Sequence, residues 1–323
     1  MSPSLDLDAL YAAAQTGCAL LERASVGRVW MQGRDRLSLL HRMSTNDMTG
    51  MALNTVRQTV LTNHLGRIVD CVNVLNLSDG ALLVTSPEQA GAVRAWLARH
   101  VFFQDDVQLH DTTAEMDQLL LLGAGAENVA GALFSGTALP GLQQVLQLGE
   151  VIVARMDAGA GCGFEIIGPV SAMSAVRAQA MAAGALPAPP SLLHLLRLEA
   201  GAAGAGAEIS SAYIPLEVGL WPAVSFSKGC YIGQEIIARM ESRGRLAKTL
   251  VGLQSELELV PGAELVAPDA TRGIVTSSVY SARFGWIALA LLKPASANPG
   301  TQVIAEQGSG RISAQVVPIP FGR

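Results

Sequence analysis

Beyond residue 245 the chain breaks into short apolar runs at 246–253, 263–266, 273–280, 286–291, 301–305 and 311–317, separated by Gly, Pro and Asn turns. Runs this short do not make helices, and their regular spacing predicts a small antiparallel barrel or sandwich. The residues before them mix helical and strand periodicities. The change of texture therefore divides the chain into 1–245 and a β domain over 246–323.

The chain has 323 residues, half of them hydrophobic and 15% charged, enough to bury two or three packed units. No uninterrupted apolar run approaches the roughly 20 residues that span a bilayer. The greasiest region, 119–134, is interrupted by Glu127 and Asn128. The first residues, Met1-Ser2-Pro3-Ser4-Leu5-Asp6, carry neither a basic segment nor an apolar signal core, so a soluble, cytoplasmic protein is expected. The net charge of −5 argues against broad nucleic-acid binding, although Arg239, Arg243 and Arg245 form a local patch suited to a phosphate or an acidic partner. Cys18, Cys71, Cys162 and Cys230 lie far apart, with no C-x-x-C pair, so neither a disulfide framework nor a zinc site is expected.

In the first part, periodicity predicts helices at 5–15, 37–43, 88–99, 171–183 and 192–200, and strands at 26–33, 57–77, 81–85, 107–110, 119–122 and 151–156. Asn63-His64-Leu65-Gly66 reads as a hairpin turn, and Pro187-Ala188-Pro189-Pro190 as a stiff linker.

The stretch richest in chemistry is Lys228-Gly229-Cys230-Tyr231-Ile232-Gly233-Gln234-Glu235. It reads as the entry to a helix, where backbone N–H groups and the macrodipole favour an anion, so a thiol leans towards thiolate. Lys228 adds positive charge beside it. Cys230 is then either a reactive thiol or a small buried residue at a helix cap.

This stretch resembles the motif of the YgfZ-type folate-binding proteins, relatives of the glycine cleavage T-protein (an aminomethyltransferase). Further landmarks follow in that family's order: Leu40-His41-Arg42-Met43-Ser44-Thr45-Asn46-Asp47, Gly163-Phe164-Glu165, Arg197-Leu198-Glu199-Ala200, Pro215-Leu216-Glu217-Val218-Gly219 and Gly273-Ile274-Val275-Thr276-Ser277. The resemblance implies an α+β fold in which two intertwined units over 1–245 and the C-terminal antiparallel barrel surround a central channel. It also implies tetrahydrofolate, or a one-carbon derivative, as the cofactor.

By the same resemblance Glu165 anchors the pterin, Arg197 holds the folate or else forms an ion pair, and Asp70, Tyr231 and Gln234 complete the cofactor site. Cys230 and Lys228 carry the chemistry. Where T-proteins have two consecutive aspartates, the second beside the reactive folate nitrogen, this chain has Asp70 and Cys71. A thiol does not supply the same fixed charge, and Asp70 should face the other side of its strand. The expected role is support of iron–sulfur cluster assembly or repair in client enzymes, including tRNA-modifying radical enzymes. Cys230 would serve there as a transient cluster ligand, and the chain would be a monomer without direct nucleic-acid contact. Aminomethyl transfer or demethylation, and a scaffold with a degenerate folate site, are the alternatives.

Overall fold

The β-rich end folds as its alternation demands. In the computed structural model, which describes residues 7–244 and 246–322, six strands β12 (Thr249–Ser255), β13 (Glu264–Val266), β14 (Arg272–Ser281), β15 (Gly285–Leu292), β16 (Gln302–Gln307) and β17 (Gly310–Val317) form a closed antiparallel barrel in the order β12-β15-β14-β13-β16-β17. Every second residue points inward: Val251 and Leu253, Ala288, Ala290 and Leu292, Val303 and Ala305, and Ala314 and Val316 fill the barrel. Closure leaves no unpaired edge.

The chain divides into two compact units that interleave along the sequence. One comprises Met1–Thr62, Val69–Leu192 and Pro222–Ile232; the other comprises Asn63–Ile68, Leu193–Trp221 and Gly233–Arg323 and contains the barrel.

The first unit is built on strands β1 (Cys18–Glu22), β2 (Val26–Gln32), β3 (Thr55–Thr62), β4 (Ile68–Leu77), β5 (Gly80–Pro87), β6 (Gln108–Asp111), β7 (Met116–Leu122), β8 (Gln144–Leu148), β9 (Val151–Asp157), β10 (Cys162–Pro169) and β11 (Ala185–Ala188). They form an 11-stranded sheet in the order β11-β1-β7-β10-β9-β8-β3-β4-β5-β2-β6. Helix α1 (Leu7–Thr16) precedes β1. Helices α2 (Arg36–Met43) and α3 (Ala90–Ala98) cover one half of the sheet over Val29, Met31, Val72 and Leu83. Helices α4 (Ala126–Leu133) and α5 (Val170–Ala182) cover the other half over Leu119, Leu121, Phe164 and Ile166. The opposite faces of the two halves meet each other, Leu75, Leu77, Leu82 and Val84 packing with Val145, Ile152, Ala154 and Ile167.

Two expectations are corrected. Residues 187 and 188 are not linker: they end β11, which pairs in parallel with β1, and α6 (Pro190–Glu199) begins immediately after. Pro187 is tolerated because β11 is an edge strand, where a missing N–H leaves no ladder bond unmade. The other correction concerns the cysteine. Helix α7 runs Gln234–Arg243, with Gly233 at its N-cap, so Cys230 precedes the helix and does not sit on its dipole. No helix among the described residues is long and apolar enough to cross a membrane. Of the arginine patch, Arg239 is exposed and Arg245 lies outside the described residues.

Candidate functional site

Cys230 is exposed, and the segment that carries it is pinned on both sides. Upstream, the buried Thr45 hydroxyl donates to the Ala223 carbonyl at 2.6 Å, and the Ser225 N–H donates to the Thr45 carbonyl at 2.9 Å. Asn46 Nδ2 donates to the Pro222 carbonyl at 3.4 Å. Downstream, the Ile232 N–H donates to the Arg42 carbonyl at 3.0 Å, and the Thr62 hydroxyl donates to the Ile232 carbonyl at 2.8 Å. The cysteine therefore sits on a fixed strap across the C-terminal end of α2.

Lys228 belongs to the same fastening. Its ammonium, largely buried, donates to the carbonyl oxygens of His41 (2.6 Å), Ser44 (2.8 Å) and Asn46 (2.7 Å). Those contacts use all three of its N–H donors at the helix end where a cation is favoured. The charge also lies 4.9 Å from the centre of the Tyr231 ring. Burial pulls Lys228 down to about 8 and pushes the Tyr231 phenol up to about 12. With every donor on a carbonyl, Lys228 places the segment and leaves no hydrogen bond for the sulfur.

Tyr231 is likewise buried beneath the strap, and Gln234 is the first residue of α7. Gly233 is required where it stands. Its φ is +82°, and a Cβ would lie 2.5 Å from the Asn63 carbonyl oxygen in the β3–β4 turn.

Asp70 and Cys71 point to opposite faces of β4, as alternation predicts, the buried and partly buried positions alternating from Ile68 to Asn73. Asp70 takes the N–H of Ser86 (3.0 Å), the Ser86 hydroxyl and the N–H of Cys71 (2.8 Å). It is buried and consumed by its own sheet, and burial raises its pKa. Cys71 shares the face of Leu75 and Leu77, the face turned towards the other half of the sheet. Burial first, and the Asp70 charge second, push its thiol far above the ordinary range, so it is neutral. The neighbouring carboxylate, Asp70, is turned to the other face.

Glu165 lies on the corresponding inner face of β10 at 1% exposure. Gln118 Nε2 donates to its Oε2 at 2.9 Å, and Arg23 Nη1 lies 3.3 Å from Oε1. Arg28, also buried, donates through Nη1 to Gln118 Oε1 at 3.4 Å. The result is a buried chain Arg28–Gln118–Glu165–Arg23. Arg23 Nη1 is ion-paired but makes no hydrogen bond. Gln118, Arg23 and Arg28 carried no motif in the sequence.

Arg197 is engaged within the second unit. It donates to Glu208 Oε2 (3.1 Å), the Ala202 carbonyl (2.6 Å) and the Ser277 hydroxyl (3.1 Å). Of its two expected roles the structure gives it the ion pair, with Glu208 as partner. Glu208, fully buried, also accepts from the Gly204 N–H (2.8 Å), the Ser277 hydroxyl (2.7 Å) and the Thr276 hydroxyl. A register shift in β14 between Val275 and Ser277 lets both neighbouring hydroxyls reach one carboxylate. Gly204 allows the approach, since a Cβ there would sit 2.5 Å from the guanidinium carbon of Arg197. The Gly-x-Val-Thr-Ser landmark is thus the lock of an internal ion pair.

Comparison with known proteins agrees with this architecture. The GCVT N-terminal domain matches residues 8–228, and the glycine cleavage T-protein C-terminal barrel domain matches 248–322. The chain is 31% identical over 327 residues to an aminomethyltransferase of Rubrobacter xylanophilus, covering 98% of this chain and 86% of that protein. It is 30% identical over 328 residues to the aminomethyltransferase of Geobacillus kaustophilus, covering 97% and 89%. The crystal structure of glycine cleavage system aminomethyltransferase T from Bartonella henselae superposes with a TM-score of 0.88 at 21% identity, covering 98% of this chain and 90% of that one. That likeness shows the fold. Matched over more than half its length by the N-terminal domain and over its barrel by the C-terminal one, the chain belongs to the glycine cleavage T-protein family.

Proposed function

We propose that this chain is a folate-binding T-protein relative whose working group is the Cys230 thiol, and that it supports assembly or repair of iron–sulfur clusters in client enzymes, among them radical enzymes that modify tRNA. The observation that carries this reading is an exposed cysteine on a segment fastened at both ends by buried hydrogen bonds. A fixed, accessible sulfur suits contact with a second protein. Thiolate is the natural ligand of cluster iron, and because one cysteine does not hold a cluster, the cluster is shared with the client.

The cradle for folate centres on Glu165. A carboxylate is acceptor-only with about four lone-pair positions, of which Gln118 and Arg23 address two. Arg23 Nη1 beside it is a buried donor without a hydrogen bond. That combination suits the aminopyrimidine edge of a pterin, which offers N–H donors next to a carbonyl acceptor. Bound folate supplies a carrier for a one-carbon unit. Calorimetric titration with tetrahydrofolate tests the cradle: the unmodified chain binds, and Glu165→Gln weakens binding roughly tenfold or more, the loss of a charge-assisted contact. Absence of binding by the unmodified chain removes folate from the reading.

A second reading, tetrahydrofolate-dependent aminomethyl transfer, is favoured by the names of the relatives at 30% and 31% identity. It requires an anion where the neutral Cys71 stands. Methylene-tetrahydrofolate formed at many turnovers from an aminomethyl donor puts this reading first; none leaves the thiol reading in place.

A further inference from the structure

A carboxylate that recognises an aminopyrimidine must hold one plane, because its selectivity comes from two parallel N–H bonds. We propose that Gln118, its amide turned by Arg28, is a positioning residue that fixes Glu165 in that plane and makes the cradle selective for ligands carrying the pterin 2-amino group. This rests on the folate reading of Glu165.

Strands β7 and β10 pair with Leu120 opposite Glu165 and Gln118 opposite Ile167. Gln118 and Glu165 are therefore diagonal neighbours on one face of the sheet, and Gln118 Nε2 donates to Glu165 Oε2 at 2.9 Å. Arg28 reaches Gln118 from β2, in the other half of the sheet. Val26 and Trp30, two residues to either side of it, pack on the same inner face as Ile167 of β10. Arg28, Gln118 and Glu165 are all buried, none more than 1% exposed.

The guanidinium is itself held in place. Its Nη2 donates to the carbonyls of Ala24 and Thr113, both at 3.1 Å, and its Nη1 is shared between the Arg23 carbonyl and Gln118 Oε1, both at 3.4 Å. An arginine only donates and a carboxylate only accepts. A glutamine amide between them has one orientation that satisfies both, with its oxygen to Arg28 and its nitrogen to Glu165. Turned over, it would set N–H against guanidinium and oxygen against carboxylate, in a buried place where unmade hydrogen bonds are costly. Arg28 thus fixes the polarity of Gln118, and Gln118 pins Oε2. Arg23 Nη1 holds the other oxygen at 3.3 Å. The last torsion of a glutamate is otherwise broad. Tethered at both oxygens, the Glu165 carboxylate keeps its plane, and its remaining lone pairs keep their direction.

The test is binding of two ligands to the full chain, tetrahydrofolate and its 2-desamino-2-methyl analogue, by anaerobic calorimetry. The unmodified chain should prefer tetrahydrofolate by about tenfold or more, the worth of one charge-assisted hydrogen bond. Gln118→Met is close in volume and leaves Arg28 its three carbonyls, but it frees Oε2. It should bring the preference below about threefold, chiefly through weaker tetrahydrofolate binding. Gln118→Glu keeps a partner for Arg28 and sets carboxylate against carboxylate, so the preference should collapse there too. The double variant Arg28→Met/Gln118→Met should show the ratio of Gln118→Met alone, because Arg28 acts through Gln118. Urea unfolding establishes that each variant is folded. A preference that survives in folded Gln118→Met or Gln118→Glu overturns the proposal, as does a double variant that falls further or an unmodified chain without preference. An equal loss for both ligands also overturns it, since Gln118 would then merely support the sheet. Binding of neither ligand by the unmodified chain is a different failure: the folate reading itself falls and takes the inference with it.

Discussion

Thr45 grips the cysteine-bearing strap through Ala223: its hydroxyl donates to the Ala223 carbonyl at 2.6 Å while accepting the Val60 N–H at 3.1 Å. One buried hydroxyl thus ties the strap to β3, and the Ser225 N–H returns to the Thr45 carbonyl. Thr45→Val keeps the shape and removes both side-chain bonds. It leaves a buried donor and a buried acceptor unpaired, at a cost of about 1–3 kcal/mol each. Urea unfolding should show that loss, and limited proteolysis should begin within 222–232. Resistance equal to the unmodified chain would detach Thr45 from the strap.

Glu208 and Arg197 form the corresponding lock in the second unit. Removing one member of a buried pair strands the other, so Arg197→Met should cost about 3–5 kcal/mol. Arg197→Lys should recover little, because one ammonium does not reproduce the fork that reaches Glu208, Ala202 and Ser277 together. Chemical denaturation checks both, and a loss below about 0.5 kcal/mol in Arg197→Met would contradict the lock.

His41 gives stability a pH dependence. Its pKa is lowered in the folded chain from 6.5, its ordinary value, by burial and by Lys228. Between the lowered value and 6.5 the unfolded chain binds more protons, so stability rises with pH in that window. The contribution is complete above pH 6.5 and disappears as pH falls through the folded value. His41→Gln should flatten the stability profile below pH 6.5 relative to the unmodified chain. Parallel profiles would show that His41 titrates alike in both states.

Much of this was legible in the sequence where period and turn chemistry agreed. All six barrel strands follow from alternation, because a closed barrel has one apolar face and a period of two. β1 escaped because Cys18, Ala19, Leu20 and Leu21 are all buried, which erases alternation. β11 escaped behind its proline. The opposed faces of Asp70 and Cys71 were readable from strand geometry alone. The helix behind Cys230 starts four residues later than the motif suggests, because Gly233 in the left-handed region delays it. The sequence shows Lys228 two residues from the thiol and hides its hydrogen-bond partners. Its real partners, the carbonyls of His41, Ser44 and Asn46, are backbone atoms that leave no mark in the sequence. The partners of Glu165 and Arg197 were hidden for a related reason: Gln118, Arg23 and Glu208 are distant in the chain and unremarkable by type.

The most direct measurement compares Cys230→Ala with the unmodified chain in cells that lack their own copy, reading the activity of cluster-dependent tRNA-modifying enzymes. An exposed side chain contributes little to packing, so the purified variant should unfold within about 0.5 kcal/mol of the unmodified chain. The account predicts that this well-folded variant fails to restore the enzymes. Restoration to the unmodified level would contradict it, because the strap would then display a sulfur the protein does not use.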